Sequence, residues 1–286
     1  MTVTQWLTQW INLRSAGLAP RTIDQYRDLL RRYIDPALCA VSVDNLTPDQ
    51  VSGLLASICA DGHTRTAQLV YVLLRAALAD AVRCGRLARS PVDLVLRPRH
   101  YPQTRAYLAA EDLSALICWC LANPGVYSRA WMLACLLGLR RGEIAGLRWQ
   151  DVDLRQQVIH IRQQRQPGAD PAPPKSRAGV RDLPIPAPLL PVLRAARSVG
   201  YVVPVDAARL DRQLPVDLAA AGVPRVSLHG LRHSMATAAM QSGCNLRVLQ
   251  SILGHTSPTT TAAIYVHVCV SDQLQALDTM ARSMLH

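Results

Sequence analysis

The residues with the most chemical potential lie in one C-terminal stretch. His229-Gly230-Leu231-Arg232-His233 comes first, then Leu253-Gly254-His255, then a threonine-rich run that ends at Tyr265. Arginine presents a flat fork of donors that fits phosphate oxygens two at a time. Histidine donates hydrogen bonds or moves a proton near neutral pH. A tyrosine hydroxyl, with a free pKa of about 10, attacks only where positive groups stabilise the charge it develops. These types in this order suit a site built around a phosphate. A second cluster lies upstream, Gly138-Leu139-Arg140-Arg141-Gly142-Glu143 followed by Leu147-Arg148-Trp149. A third candidate comes from composition. The chain has 31 basic residues, and Lys175 is the one lysine among them. Arginine does not give up its proton at usable pH, whereas the pKa of a lysine can be moved toward neutrality. A chain so biased against lysine keeps one where arginine would not serve.

The whole chain sets bounds on what such a site can serve. At 286 residues it has room for one or two domains with buried cores. Half of the residues are apolar, which excludes a disordered chain. No run of about 18 apolar residues occurs, so no membrane span is expected. Residues 1–10 lack a basic start followed by an apolar core, so no export signal is read. The eight cysteines are scattered without a Cys-x-x-Cys pair, which points away from a zinc site and toward reduced thiols in the cytoplasm. The net charge of +11 favours a polyanionic partner. Residues 1–104 carry 12 arginines against 8 acids, so both halves of the chain could face DNA.

Apolar periodicity and stop signals then give the elements that must position the candidates. Helices are expected over 4–16, 21–34, 48–60 and 64–84. The third of these opens on Thr47-Pro48-Asp49-Gln50, a capping box with proline at the first helical position. Residues 90–105 hold three prolines and several arginines and read as a linker. The expected organisation is a helical unit over 1–97, a basic linker over 98–105 and a second unit over 106–286. In that second unit helices are expected over 110–122 and 128–139, strands over 151–154, 158–161 and 181–185, and scaffold helices over 187–198 and 207–221. Further helices are expected over 231–242 and 246–253, then one bearing Tyr265, then an amphipathic one over 271–286. Lys175 falls in the proline-rich stretch between the second and third strands.

This arrangement resembles the tyrosine recombinases of the phage-integrase family. His229-x-x-Arg232, Leu253-Gly254-His255 some twenty residues on and Tyr265 about ten further match that family's second box. Gly138-Leu139-Arg140-x-Gly142-Glu143 with Leu147-x-Trp149 matches its first box, with Leu137 where threonine is usual. The resemblance implies a mainly α fold: an N-terminal four-helix core-binding (SAM-like) domain and an α-rich catalytic domain with a small three-stranded antiparallel sheet. It implies six active-site residues, Arg140, Lys175, His229, Arg232, His255 and the nucleophile Tyr265, with Glu143 in support. Arg141 is then a surface or DNA-facing charge. It further implies site-specific cutting and rejoining of DNA through a 3′-phosphotyrosyl link and a Holliday junction, with no metal and no other cofactor. The partners would be double-stranded DNA sites and three further copies of the chain, forming a tetramer on two sites. The terminal helix would dock on a neighbouring protomer, and the enzyme would act at the bacterial nucleoid in the cytoplasm. Two rival readings are a relaxer like the type IB topoisomerases and a DNA-binding regulator on an inactive recombinase scaffold. The compact N-terminal unit and the terminal helix weigh against the first, and the complete residue set weighs against the second.

Overall fold

The computed structural model describes residues 1–100, 106–166, 168, 170–174 and 177–254. Lys175, His255, Tyr265 and the helices expected after residue 255 lie outside them. The chain separates into two compact units, Met1–Gln103 and Thr104–His286.

In the first unit, α1 (Val3–Arg14) starts on a reciprocal cap. The Thr2 hydroxyl accepts from the Gln5 N–H at 3.3 Å, and the Gln5 side chain accepts from the Thr2 N–H at 3.0 Å. One stripe of α1, Val3, Trp6, Leu7, Trp10 and Ile11, is buried, the 3–4 spacing of a core-facing helix. α2 (Pro20–Leu29) runs into one widened π turn, Leu30–Ile34, and then into α3 (Asp35–Leu38). The sequence predicts an end at Ile34, and Pro36 follows two residues on. Proline has no N–H to give and its ring crowds the preceding turn. The wider turn absorbs both problems, with the Asp35 N–H bonding back to the Leu30 carbonyl, and the chain stays helical. α4 (Pro48–Ala60) carries the expected Thr47–Gln50 box at 3.0 and 3.2 Å, and α5 (Thr64–Arg83) follows. Two indoles tie α1 to α5, Trp6 Nε1 to the Ala77 carbonyl at 3.0 Å and Trp10 Nε1 to Asp80 at 2.7 Å.

The second unit begins with α6 (Ala110–Ala122), α7 (Val126–Leu137) and the short α8 (Arg141–Gly146). α7 is buried on most of its surface, and Trp131 Nε1 finds Asp217 at 2.7 Å. A three-stranded antiparallel sheet follows in the order β1 (Val152–Asp153), β2 (Val158–Ile161), β3 (Arg181–Pro184). Its register pairs Ile161 with Arg181 and Ile159 with Leu183. After the sheet come α9 (Leu190–Ala195), α10 (Ala207–Ala220), α11 (Leu228–Gln241) and α12 (Leu246–Leu253). α11 packs along α7. Its start lies earlier than the sequence predicts, because the Ser227 hydroxyl accepts from the Gly230 N–H at 3.0 Å and caps it. His229 therefore sits inside the first turn of α11, three residues before Arg232 on the same helix. Among the described residues no helix is long and apolar enough to cross a membrane.

Candidate active site

Two glycine-governed turns set the site. α7 ends at Gly138, which adopts φ 60°. A Cβ there would lie 2.7 Å from Leu253 Cδ2 and 3.3 Å from Met235 Sδ, so both the backbone angle and the packing demand glycine. The chain then reverses into α8, and Arg140 occupies the position before its first turn. α12 ends in the same way at Gly254, φ 63°, where a Cβ would lie 2.6 Å from the Ala178 carbonyl oxygen. These turns bring the ends of α7 and α12 together.

Three arginines converge on the C-terminal end of α12. Arg181 Nε donates to the Ile252 carbonyl at 2.6 Å, Arg232 Nη2 to Leu253 at 2.6 Å and Arg140 Nη2 to Gly254 at 2.9 Å. The last carbonyls of a helix lack partners within it and carry its negative dipole end. Three successive ones are satisfied here by three cations drawn from three different elements. Arg232 is held on its other side by the Gly138 carbonyl, which accepts from Nη1 at 2.5 Å.

One carboxylate sits among them. Glu143 is 1 % exposed. Its Oε1 accepts from Arg140 Nη1 at 2.7 Å and from Arg181 Nη1 at 3.1 Å. Its Oε2 accepts from the Arg140 backbone N–H at 2.9 Å and from Arg181 Nη2 at 3.0 Å. Burial by itself pushes the Glu143 carboxyl up. The hydrogen bonds and charge of Arg181, then those of Arg140, reverse this and hold it below the usual carboxylate range. Burial pushes the Arg232 guanidinium down to about 9, helped by Arg140 and Arg181 and opposed by Glu143. Among the described residues, three guanidiniums thus face one carboxylate. A buried cationic excess of this kind lowers its energy when an anion arrives.

The charge network makes a stability prediction. Glu143→Gln keeps the shape and removes the charge that balances the buried Arg181 and the half-exposed Arg140. Breaking one partner out of a buried pair costs about 3–5 kcal/mol, so a loss of that order is expected in urea unfolding at pH 7. Because the folded pKa is depressed, the stabilisation is present above the unfolded value of about 4.3 and is lost as pH falls through the lower folded value. The difference between the variant and the parent should therefore close in acid. An unchanged midpoint at pH 7 would contradict the network.

Of the residues singled out from sequence, Arg140, Glu143 and Arg232 are brought together. His229 lies on the exposed side of the first turn of α11. Arg141 turns to pair with Asp211 on α10. Lys175, His255 and Tyr265 lie outside the described residues, but the chain on either side of Lys175 has definite anchors. Gln164 and Ala172 exchange backbone hydrogen bonds at 2.8 and 3.0 Å, and the Arg165 N–H donates to the Gly142 carbonyl at 2.8 Å. Gly146 would place a Cβ 3.0 Å from the backbone of Gln164 and Arg165, so its lack of a side chain lets that segment lie against α8. After the loop, Arg181 fixes β3. From sequence alone Arg181 reads as an ordinary strand residue. The signal was present in the alternation of β3, where Arg181 is in phase with the buried Leu183 and Ile185. An inward-facing arginine needs a buried carboxylate.

The fold and this charged cluster define the class: a two-unit, mainly α chain with an arginine-rich cluster around the buried Glu143 in its second unit. The same fold occurs in the Tn1549 transposon integrase in complex with a circular intermediate DNA, with a TM-score of 0.81 over 98% of this chain and 99% of that one at 19% identity. Residues 3–95 match the model of the phage integrase central domain, and residues 208–271 match that of the phage integrase family. The XerC-like tyrosine recombinase of Caldanaerobacter subterraneus subsp. tengcongensis is 28% identical over 96% of this chain and 80% of its own length. The tyrosine recombinase XerC of Mycobacterium leprae is 30% identical over 80% of this chain and 82% of its own length. The chain belongs to the phage integrase family and is a tyrosine site-specific recombinase.

Proposed function

We propose that the arginine cluster is the phosphate site of a DNA strand-exchange reaction in which Tyr265 is the nucleophile. The observation that carries this is the excess of three buried or half-buried guanidiniums over one carboxylate at the end of α12. Arg140 and Arg232 hold the non-bridging oxygens of the scissile phosphate and stabilise the charge that builds up in the transition state. The Tyr265 oxygen forms a bond to phosphorus, the bond from phosphorus to the 5′-oxygen breaks, and Lys175 gives that oxygen its proton. His229 acts as base or proton relay for the tyrosine, and His255 donates a hydrogen bond to the phosphate. The 3′-phosphotyrosyl link conserves the phosphodiester energy, so no metal or nucleotide is required. Attack by the 5′-hydroxyl of a partner strand reverses the step, and two rounds pass through a Holliday junction.

The partners in this reading are two double-stranded DNA sites held by four protomers, with residues 271–286 docked on a neighbour. The cell compartment is the cytoplasm, at the nucleoid. The Tn1549 neighbour was solved on the circular intermediate of a mobile element, which supports integration or excision of such an element as the biological setting. The two domain-sized units, 1–97 and 106–286, and the basic linker each carry charge suited to DNA.

The test is covalent trapping on nicked duplexes followed by sequencing of the trapped DNA. The expected result is a denaturant-stable protein–DNA adduct at one sequence, and recombinants when two such sites are supplied. Adducts without recombinants would point to a relaxer. The absence of any adduct would point to an inactive scaffold.

A further inference from the structure

We propose that Arg181, on β3, is a positioning residue for Arg140 and sets the geometry and charge of the phosphate site without touching DNA. The proposal rests on the recombinase reading above and adds to it a residue outside the two sequence boxes.

The geometry separates the two arginines by exposure. The Arg140 side chain is 36% exposed and can reach a ligand, whereas that of Arg181 is 7% exposed. Arg181 spends its guanidinium on protein groups. Its two terminal nitrogens fork onto both oxygens of Glu143, and its Nε holds the Ile252 carbonyl. Nη1 also donates to the Gly179 carbonyl at 3.0 Å. Glu143 in turn is the group that orients Arg140, through one bond to the side chain and one to the backbone N–H. Oε1 is shared between the two arginines. The position of Arg140 is thus defined by a carboxylate whose own position is defined by Arg181.

Charge gives the second half of the argument. A lone Glu143–Arg140 pair would be neutral, and Arg140 would offer little to a phosphate. With Arg181 sharing the carboxylate the cluster stays cationic, so the charge of Arg140 remains available to an anion. Arg181 is also the largest influence keeping Glu143 ionised against its burial. The charged groups around Glu143 come from three elements: Arg140 beside α8, Arg181 on β3 and Arg232 on α11. Arg181 has one further task. It grips the carbonyl two residues before Gly254, and a Cβ on Gly254 would lie 3.1 Å from its Nη1. It therefore also fixes the point where the chain leaves α12 toward His255.

Arg181→Met and Arg181→Lys are compared with the unaltered chain in single-turnover adduct formation. The probe is a nicked suicide duplex carrying the sequence recovered by covalent trapping. It is made twice, once with the natural scissile phosphate and once with a methylphosphonate there. The methyl group replaces a charged non-bridging oxygen and removes the charge that Arg140 serves. On the natural phosphate, Arg181→Met is expected to slow adduct formation by about 10²-fold, the scale for a reacting group displaced by about 1 Å. Arg181→Lys should recover only part of this, because a point charge cannot fork onto both carboxylate oxygens and reach Ile252. On the methylphosphonate, the variants and the parent should converge to within a few-fold. A purely structural role would depress both substrates equally. Equal deficits on both, or no deficit for Arg181→Met on the phosphate, would overturn the proposal while leaving the recombinase reading intact. If the unaltered chain forms no adduct on any DNA, both readings fall. Should Arg181→Met not fold, the Arg181→Lys ratio between the two substrates decides the question in the same way.

Discussion

Tyr265→Phe is expected to remove all covalent DNA adduct while leaving DNA binding unchanged. The substitution keeps the aromatic ring and deletes one oxygen, so the change is confined to the attacking atom. Tyr265 is the only tyrosine that follows the His229-x-x-Arg232 box, and no other residue in that part of the chain has an oxygen suited to a stable phosphoaryl link. In the proposed reaction the cationic cluster would let so weak a nucleophile act. Arg140 lies close enough to Arg232 to help burial lower the proton affinity of the Arg232 guanidinium, and in that reaction the same positive field would favour the phenolate over the phenol. Adduct is measured on the nicked duplex after denaturing electrophoresis, and binding by mobility shift on the same DNA. Adduct formation by the Phe variant would place the nucleophile at another residue. Loss of binding together with adduct would mean that Tyr265 serves the architecture of the complex.

Local signals made the helices legible and left their joins obscure. Thr47 and Gln50 cap α4 as their spacing indicates, since a capping box is complete within four residues. The chain stays helical past the expected end at Ile34 because the wider turn Leu30–Ile34 accommodates Pro36. Ser227 caps α11 two residues before the charged box, so the helix begins ahead of His229. The small sheet was legible from alternation and turns, and its strands pair as three antiparallel neighbours. The residue types of the site were also legible, because they recur at fixed spacings within short boxes.

What the sequence could not display is how those boxes meet. Arg140, Arg181 and Arg232 bond to consecutive carbonyls of α12 although they lie 114, 71 and 21 positions from them in the chain. Such convergence is a property of the packing of α7, β3, α11 and α12. The role of Arg181 is hidden in the sequence for this reason. Its strand position has an ordinary polar reading, and its partner Glu143 is 38 residues away. The inference that a carboxylate inside a motif needs a second cation to leave the first one free requires the three-dimensional arrangement.

Lys175→Ala is the other substitution with a large expected effect. If Lys175 protonates the leaving 5′-oxygen, its removal should slow cleavage by about 10²- to 10⁴-fold, the range for general acid–base catalysis. Binding should barely change, because one phosphate-side charge is lost from a chain with a net charge of +11. Lys175→Arg should rescue poorly, since guanidinium holds its proton too tightly. The described chain is anchored on either side of the stretch that holds Lys175. Gln164 pairs with Ala172 before it, and Arg181 is clamped to Glu143 after it. The discriminating substrate carries sulfur in place of the 5′-bridging oxygen at the scissile phosphate. A thiolate departs without a proton, so this substrate should restore cleavage by Lys175→Ala. It should not restore Arg140→Ala, whose defect lies in stabilising the non-bridging oxygens. Rescue of neither variant, or of both equally, would remove Lys175 from the role of general acid and leave it a loop residue that contributes charge alone.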